Sequence, residues 1–187
     1  SAASDVYKRQ SVLVMTAFMG LISAFSAAAV SMEGERFYIT KIVPVSYRAQ
    51  LAVKGALNLA VSFGALLVSC VIVASLGFVS IGQTLIIGAT EFVLAAGFVL
   101  NGLNLNVANP NVKPKANGEI DEINVSFMMF IGVFISAAAG ALAIILPFFW
   151  NIVWVYLLLA GVALVYAGVN LIVFILTASK RYARIEG

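Results

Sequence analysis

Between Gly55 and Asn104 the chain carries no lysine or arginine, and its one acid in that stretch is Glu91. A helix needs about 20 mostly apolar residues to cross the hydrocarbon core of a bilayer. The run is therefore long enough for two crossings, with a turn near Gly77–Gly82. Reading the rest of the chain the same way predicts spans at 11–30, 55–76, 81–103, 125–146 and 150–177. The last is long enough to require tilt. Of the 187 residues, 63% are hydrophobic and only 10% charged, against about 25% charged in an ordinary soluble domain. The expected fold is an all-α, polytopic transmembrane bundle. A lone cysteine, Cys70, and the absence of histidine leave no disulfide framework and no ligand set for a metal site.

Residues 1–10 are read apart from the fold. They are polar and abut an apolar helix, and Asp5–Gln10 back-translates to GATGTGTATAAGAGACAG. That sequence resembles the mosaic end of a transposon used to build sequencing libraries, so the segment is set aside as translated adaptor. A genuine polar N-terminus is the alternative. The remaining basic residues fall in three groups: Arg36, Lys41, Arg48 and Lys54; Lys113 and Lys115; Lys180, Arg181 and Arg184. Five spans place all three groups on one side, while the turns near Gly77–Gly82 and Pro147–Asn151 carry no charge. The positive-inside rule makes the charged side, and the C-terminus, cytoplasmic in a cell membrane. Trp150 and Trp154 then lie at the outer boundary, where indole rings prefer to sit. The first span begins outside, so an upstream span is expected, giving a six-helix unit of which this is the C-terminal part.

Small residues recur every fourth position: Gly20, Ala24 and Ala28 in the first span, Gly132, Ser136 and Gly140 in the fourth. Such rows let helices approach closely in lipid, as static packing or as a sliding surface.

The stretch 31–54, SMEGERFYITKIVPVSYRAQLAVK, is too polar to span and too apolar for a free loop. Ser31 is suited to cap a short helix, and Glu33 and Glu35 suit its positive end. Met32, Phe37, Ile39, Ile42 and Val43 offer apolar contacts, Pro44 ends the helix, and Ser46 starts another running through Lys54. This describes a short helix at the membrane surface, either a plain interfacial helix or a docking surface for a cytosolic partner.

The pattern Ser31-x-Glu33-Gly34-x-Arg36-Phe37-x-x-x-Lys41-x-x-Pro44-Val45-Ser46, followed by Lys54, resembles that of permeases of ABC-2-type exporters. Asn109-Pro110, Gly118-Glu119-Ile120 and Asn124 are similar to a second loop of that family, whose aromatic residue has no counterpart here. The resemblance implies a membrane subunit that is not itself an enzyme and holds no cofactor. ATP would be bound by a separate ABC ATPase subunit, and the absence of a G-x-x-x-x-G-K-[ST] loop agrees. It further implies that 31–54 is the segment coupling to that subunit, with Glu33, Gly34, Arg36, Phe37, Lys41, Pro44 and Ser46 at the contact and Phe37 filling a slot in the partner. The other partners are the lipid bilayer and a second permease half or copy; nothing calls for nucleic acid.

Glu91 is the one ionisable residue deep in a span, and an intramembrane acid is a candidate functional site by default. It reads as a substrate or proton site, or as a neutral acid bonding a neighbouring helix. Thr84 shares its face, and Asn101 is less aligned. The rival function is accordingly a secondary transporter using Glu91 as its proton or ion site.

Overall fold

A computed structural model describes residues 14–77, 79–110 and 122–185. The suspected adaptor, Lys113, Lys115 and Gly118-Glu119-Ile120 lie outside the described residues. Within them the chain is helical almost throughout, without a strand. Five helices are long and apolar enough to cross a membrane, so the molecule is an all-α polytopic bundle. Helix α1 covers Val14–Gly34, with 3₁₀ geometry over Ala24–Ala28 and again from Ser31. The short α2 is Phe37–Ile42, α3 is Tyr47–Ser75 and α4 is Ile81–Ala108. Helix α5, Glu122–Ile145, runs into a 3₁₀ turn at Leu146–Phe148 containing Pro147. Helix α6, Ile152–Val173, passes through a π turn at Phe174–Ala178 into α7, Ser179–Ala183.

The starts of these helices follow from side-chain caps. Ser46 accepts from the Ala49 amide at 3.3 Å, which begins α3 at Tyr47, eight residues ahead of the stretch lacking basic residues. Ser80 and Gln83 form a reciprocal capping box at the head of α4, satisfying amides that lipid would leave bare. Asn151 caps α6 through the Val153 amide at 3.0 Å.

The five long helices alternate in direction. At one end Val30, Phe37, Leu51, Val107, Ala178, Tyr182 and Ile185 form a buried cluster, joining the end of α1, the start of α3 and the ends of α4 and α7. At the other end Met15, Leu66, Val79, Ile87, Ala143 and Tyr156 meet. Asn124 donates to the Asn109 carbonyl at 2.9 Å, which puts the start of α5 beside the end of α4. Arg36, Lys41, Arg48, Lys54, Lys180, Arg181 and Arg184 therefore share one end, and residues 146–151 at the opposite end carry no charge.

Helices α1 and α4 are the centre of the bundle. Over their most apolar stretches 61% and 50% of residues are buried, against 11%, 22% and 11% for α3, α5 and α6. Small residues make that centre dense. A Cβ placed on Gly20 would lie 2.9 Å from the Gly132 Cα, so α1 and α5 touch backbone to backbone. Ala24 and Ala28 continue the row, packed with Leu94, Phe98 and Met128. Helix α4 is tied to α6 by polar contacts as well. Asn101 donates to the Tyr166 hydroxyl at 2.8 Å and Asn104 to the Asn170 carbonyl at 3.0 Å. Each such bond within a membrane contributes about 0.6 kcal/mol.

Two outcomes are expected. Gly132→Val forces α1 and α5 apart and costs about 1–3 kcal/mol, measured as a lower unfolding midpoint in detergent. Gly161→Val, at a glycine whose added Cβ would meet nothing within 4 Å, changes stability by less than about 0.5 kcal/mol. In a Cys70→Ser background, single cysteines replacing Arg36, Arg48 and Arg184 should react with a membrane-impermeant maleimide from the same side of sealed vesicles. A cysteine replacing Phe149 should react from the other; mixed sidedness among the first three would contradict the alternating arrangement.

Candidate functional site

The charged end is built around the break between α1 and α2. Gly34 sits at φ +48°, ψ −127°, a conformation closed to residues with a Cβ, and there the chain leaves the axis of α1. Ser31 does not cap a helix, as its position suggested. Its hydroxyl accepts from Asn106 Nδ2 at 2.7 Å. Asn106 Oδ1 accepts from the Val30 and Ser31 amides at 2.7 and 3.2 Å. A side chain 75 residues away in sequence thus supplies the cap, and Asn106 is fully buried.

The rest of the segment is held just as firmly. Lys54 reaches back across the break, donating to the Ala29 carbonyl at 3.1 Å and pairing with Glu33. Lys41 donates to the carbonyls of Ala183 and Ile185, placing a cation at the negative end of α7. Val43 turns extended ahead of Pro44, as the residue before a proline must. Gln50 Nε2 closes that turn, donating to the Thr40 and Val45 carbonyls at 2.9 Å each. Phe37 does not project outward as expected for a partner anchor. It is 1% exposed and packs edge-on against Tyr182 with ring centroids 5.4 Å apart. Tyr182 lies beyond the π turn in α7, and Tyr47 also packs edge-on against its ring, with centroids 5.3 Å apart.

The seven residues of the motif therefore divide. Glu33, Phe37 and Lys41 are engaged within the chain, and Gly34 sets the backbone. Arg36, Pro44 and Ser46 stand at the surface. The outward face is instead formed by Met32, 63% exposed, Ile42, 73% exposed, and Tyr38, Ile39, Val43 and Val45 around them. This is an apolar crest with Arg36 and Arg48 beside it, on a backbone fixed from behind. Sequence patterning assigned apolar contacts to Met32, Ile39, Ile42 and Val43. A helix of six residues has room to bury one side chain, and Phe37 takes that place.

The second site is Glu91, near the middle of α4 and 2% exposed. Thr16 of α1 donates to its Oε1 at 2.5 Å. Its Oε2 is buried without a hydrogen-bond partner among the described residues. Beside it lies a cavity of about 50 Å³, lined by Thr16, Ile87 and Glu91 from the bundle centre and by Ala139, Leu159 and Val162, among others, from α5 and α6. Thr84 and Asn101 do not join Glu91: Thr84 bonds the Ser80 carbonyl of its own helix, and Asn101 bonds Tyr166. Thr16 escaped the sequence reading because its partner is 75 residues distant. Its place one turn before Gly20, on the small-residue face, is the one local signal. An acid with one bonded and one unbonded oxygen, in an apolar chamber, is equipped to receive a hydrogen-bond donor or a cation.

Thr16→Val removes the donor to Glu91 and is expected to cost about 1–3 kcal/mol. Glu91→Gln retains a carbonyl oxygen for Thr16 and should cost under about 1 kcal/mol by the same reasoning. Denaturant titration in mixed micelles compares the two, and the reverse order would show that the hydroxyl–carboxyl bond does not matter to the bundle.

No protein-family model, no curated protein and no solved structure matches this chain.

Proposed function

We propose that this chain is the membrane-spanning permease subunit of an ATP-driven exporter of the ABC-2 type, coupled through residues 31–54 to a separate ATPase subunit. The observation that carries the reading is the build of the charged end. Its backbone is tied to α3, α4 and α7 by Asn106, Lys41, Lys54 and Gln50, yet it turns an apolar crest outward at Met32, Tyr38 and Ile42. A docking lever needs both properties. It must be stiff enough to transmit displacement and must offer buried-area anchors to a partner. The motif from Ser31 to Ser46 supports the same assignment.

In this reading the charged end faces the cytoplasm of a cell membrane, with the C-terminus on that side. Closure of two ATPase subunits on ATP pushes the crest, and the helices fixed to it rock between inward and outward states. ATP stays on the partner and this chain catalyses nothing. The largely unburied faces of α3 and α6 serve contact with lipid and with a second permease half or copy. The Glu91 cavity is the candidate substrate site. One observation favours a second reading, a secondary transporter driven by an ion gradient: the unbonded Oε2 of Glu91 suits a proton or ion equally well.

Copurification decides between them. The full-length protein, expressed with its neighbouring reading frames, should retain an ATPase that Ile42→Asp and Tyr38→Asp each release, weakening the association at least about tenfold. Phe37→Leu, which stays buried, should leave the association in place. Transport that follows a proton gradient with no ATPase bound, and that Glu91→Gln abolishes, would assign the protein to the second reading.

A further inference from the structure

The cavity beside Glu91 has a shape and depth that specify its occupant more closely than the fold does. Its inner wall is buried, formed by Thr16, Ile87, Glu91 and Leu94 with Tyr156 and Ala163 of α6. Its outer wall is not. Thr90, Ile135, Ala139 and Leu159 are half-buried, and Val162 is 55% exposed. The chamber therefore opens between α5 and α6, on the lipid-facing side of the bundle. Glu91 lies ten residues into α4, about 15 Å along the helix axis, which is close to the mid-depth of a hydrocarbon core about 30 Å thick. A ligand reaches such an opening from within the bilayer, not from water.

We propose that this cavity binds the head group of a membrane-soluble primary amine whose aliphatic tail lies between α5 and α6. The inference deepens the reading of Glu91 as a substrate site and rests on it. Three features select the chemistry. The Glu91 carboxyl lines the cavity with one oxygen lacking a hydrogen-bond partner among the described residues, and an ammonium pairs with a carboxylate by a charge-assisted bond that an alcohol cannot equal. The pair is neutral overall, which removes the cost of an isolated charge in lipid. The chamber, about 50 Å³, has room for a small polar group, and a primary ammonium offers the N–H donors that a trimethylammonium lacks. The aliphatic side chains of Ile135, Leu159 and Val162 at the mouth suit an alkyl tail. Thr16 holds Oε1 at 2.5 Å and so fixes one side of the carboxyl.

The test uses the full-length protein in lipid nanodiscs, without nucleotide or ATPase, and measures displacement of labelled dodecylamine. Unlabelled dodecylamine should compete at least about tenfold better than dodecanol or dodecyltrimethylammonium, as expected for one charge-assisted bond. That series needs no mutation. Glu91→Gln should weaken dodecylamine binding by about the same factor. Ala139→Phe, which fills the mouth from a half-buried position on α5, should also abolish it, with circular dichroism confirming that both variants keep their helices. Equal competition by all three head groups would overturn the proposal, as would binding that both variants leave intact. If a second copy or a further helix seats on this face in the full-length protein, Val162→Cys will fail to react with a lipid-soluble maleimide and dodecylamine will not bind, which also overturns it. The ATPase copurification above is unaffected by any of these outcomes, so a failed amine site and a failed exporter assignment remain separable.

Discussion

A helix that ends inside a membrane bundle leaves amides and carbonyls where no water can reach them, and something in the protein must bond to each. The last 3₁₀ turn of α1 starts this way at Ser31, and Asn106 accepts from the Val30 and Ser31 amides and donates to the Ser31 hydroxyl. The residue comes from α4, the helix at the centre of the bundle, so the end of α1 and the start of the surface segment are fixed relative to the core. Cations meet carbonyls nearby. Lys54 takes the Ala29 carbonyl and Lys41 the carbonyls that close α7. Basic side chains that a sequence reading counts as topological charge are here also caps, which explains why they cluster where helices begin and end.

That arrangement decides which side of the segment 31–54 is available. Polar groups that must be satisfied turn inward, along with the one aromatic ring that the cluster at Tyr182 accommodates. The aliphatic residues left over face outward. The outward crest is thus a consequence of inward bonding. An interfacial helix lying passively in head groups needs no such ties, because its position is set by partition alone. Ties from three separate helices fix the segment's position against the bundle.

Much of this architecture was legible in the sequence, and the boundary of legibility has a physical cause. Helical spans are local: about 20 apolar residues suffice to define one, and the five helices stand where hydropathy puts them, with α3 starting earlier because Ser46 caps it and α4 running on to Ala108. The Gly20 and Gly132 rows announced close packing, though not that they would meet each other. Partners distant in the chain were invisible. Nothing near Asn106 or Thr16 indicates what each bonds, since the matching residues lie 75 positions away. The inward turn of Phe37 was equally hidden. It depends on Tyr182, which follows the π turn at Phe174–Ala178 and packs against Phe37, and no residue in α2 reports that partner.

Helix α4 carries both candidate sites. Asn106, which holds the surface segment, lies 15 residues beyond Glu91 on the same uninterrupted helix, about 22 Å along its axis. A helix of that length between two packed neighbours moves as a body. In the proposed coupling, displacement at the crest would reach Glu91 through α4 as a body, without a chain of side-chain rearrangements. Both neighbours are packed tightly against α4: an added Cβ at Gly102 would strike Ser26 of α1, and one at Gly97 would strike the Tyr166 ring and lie 3.2 Å from the Ala167 Cα of α6. Glu91 and Thr16 sit on α4 and α1, and Leu159 and Val162 on α6, so the cavity beside Glu91 is walled by all three helices and any displacement of one against another would change its shape.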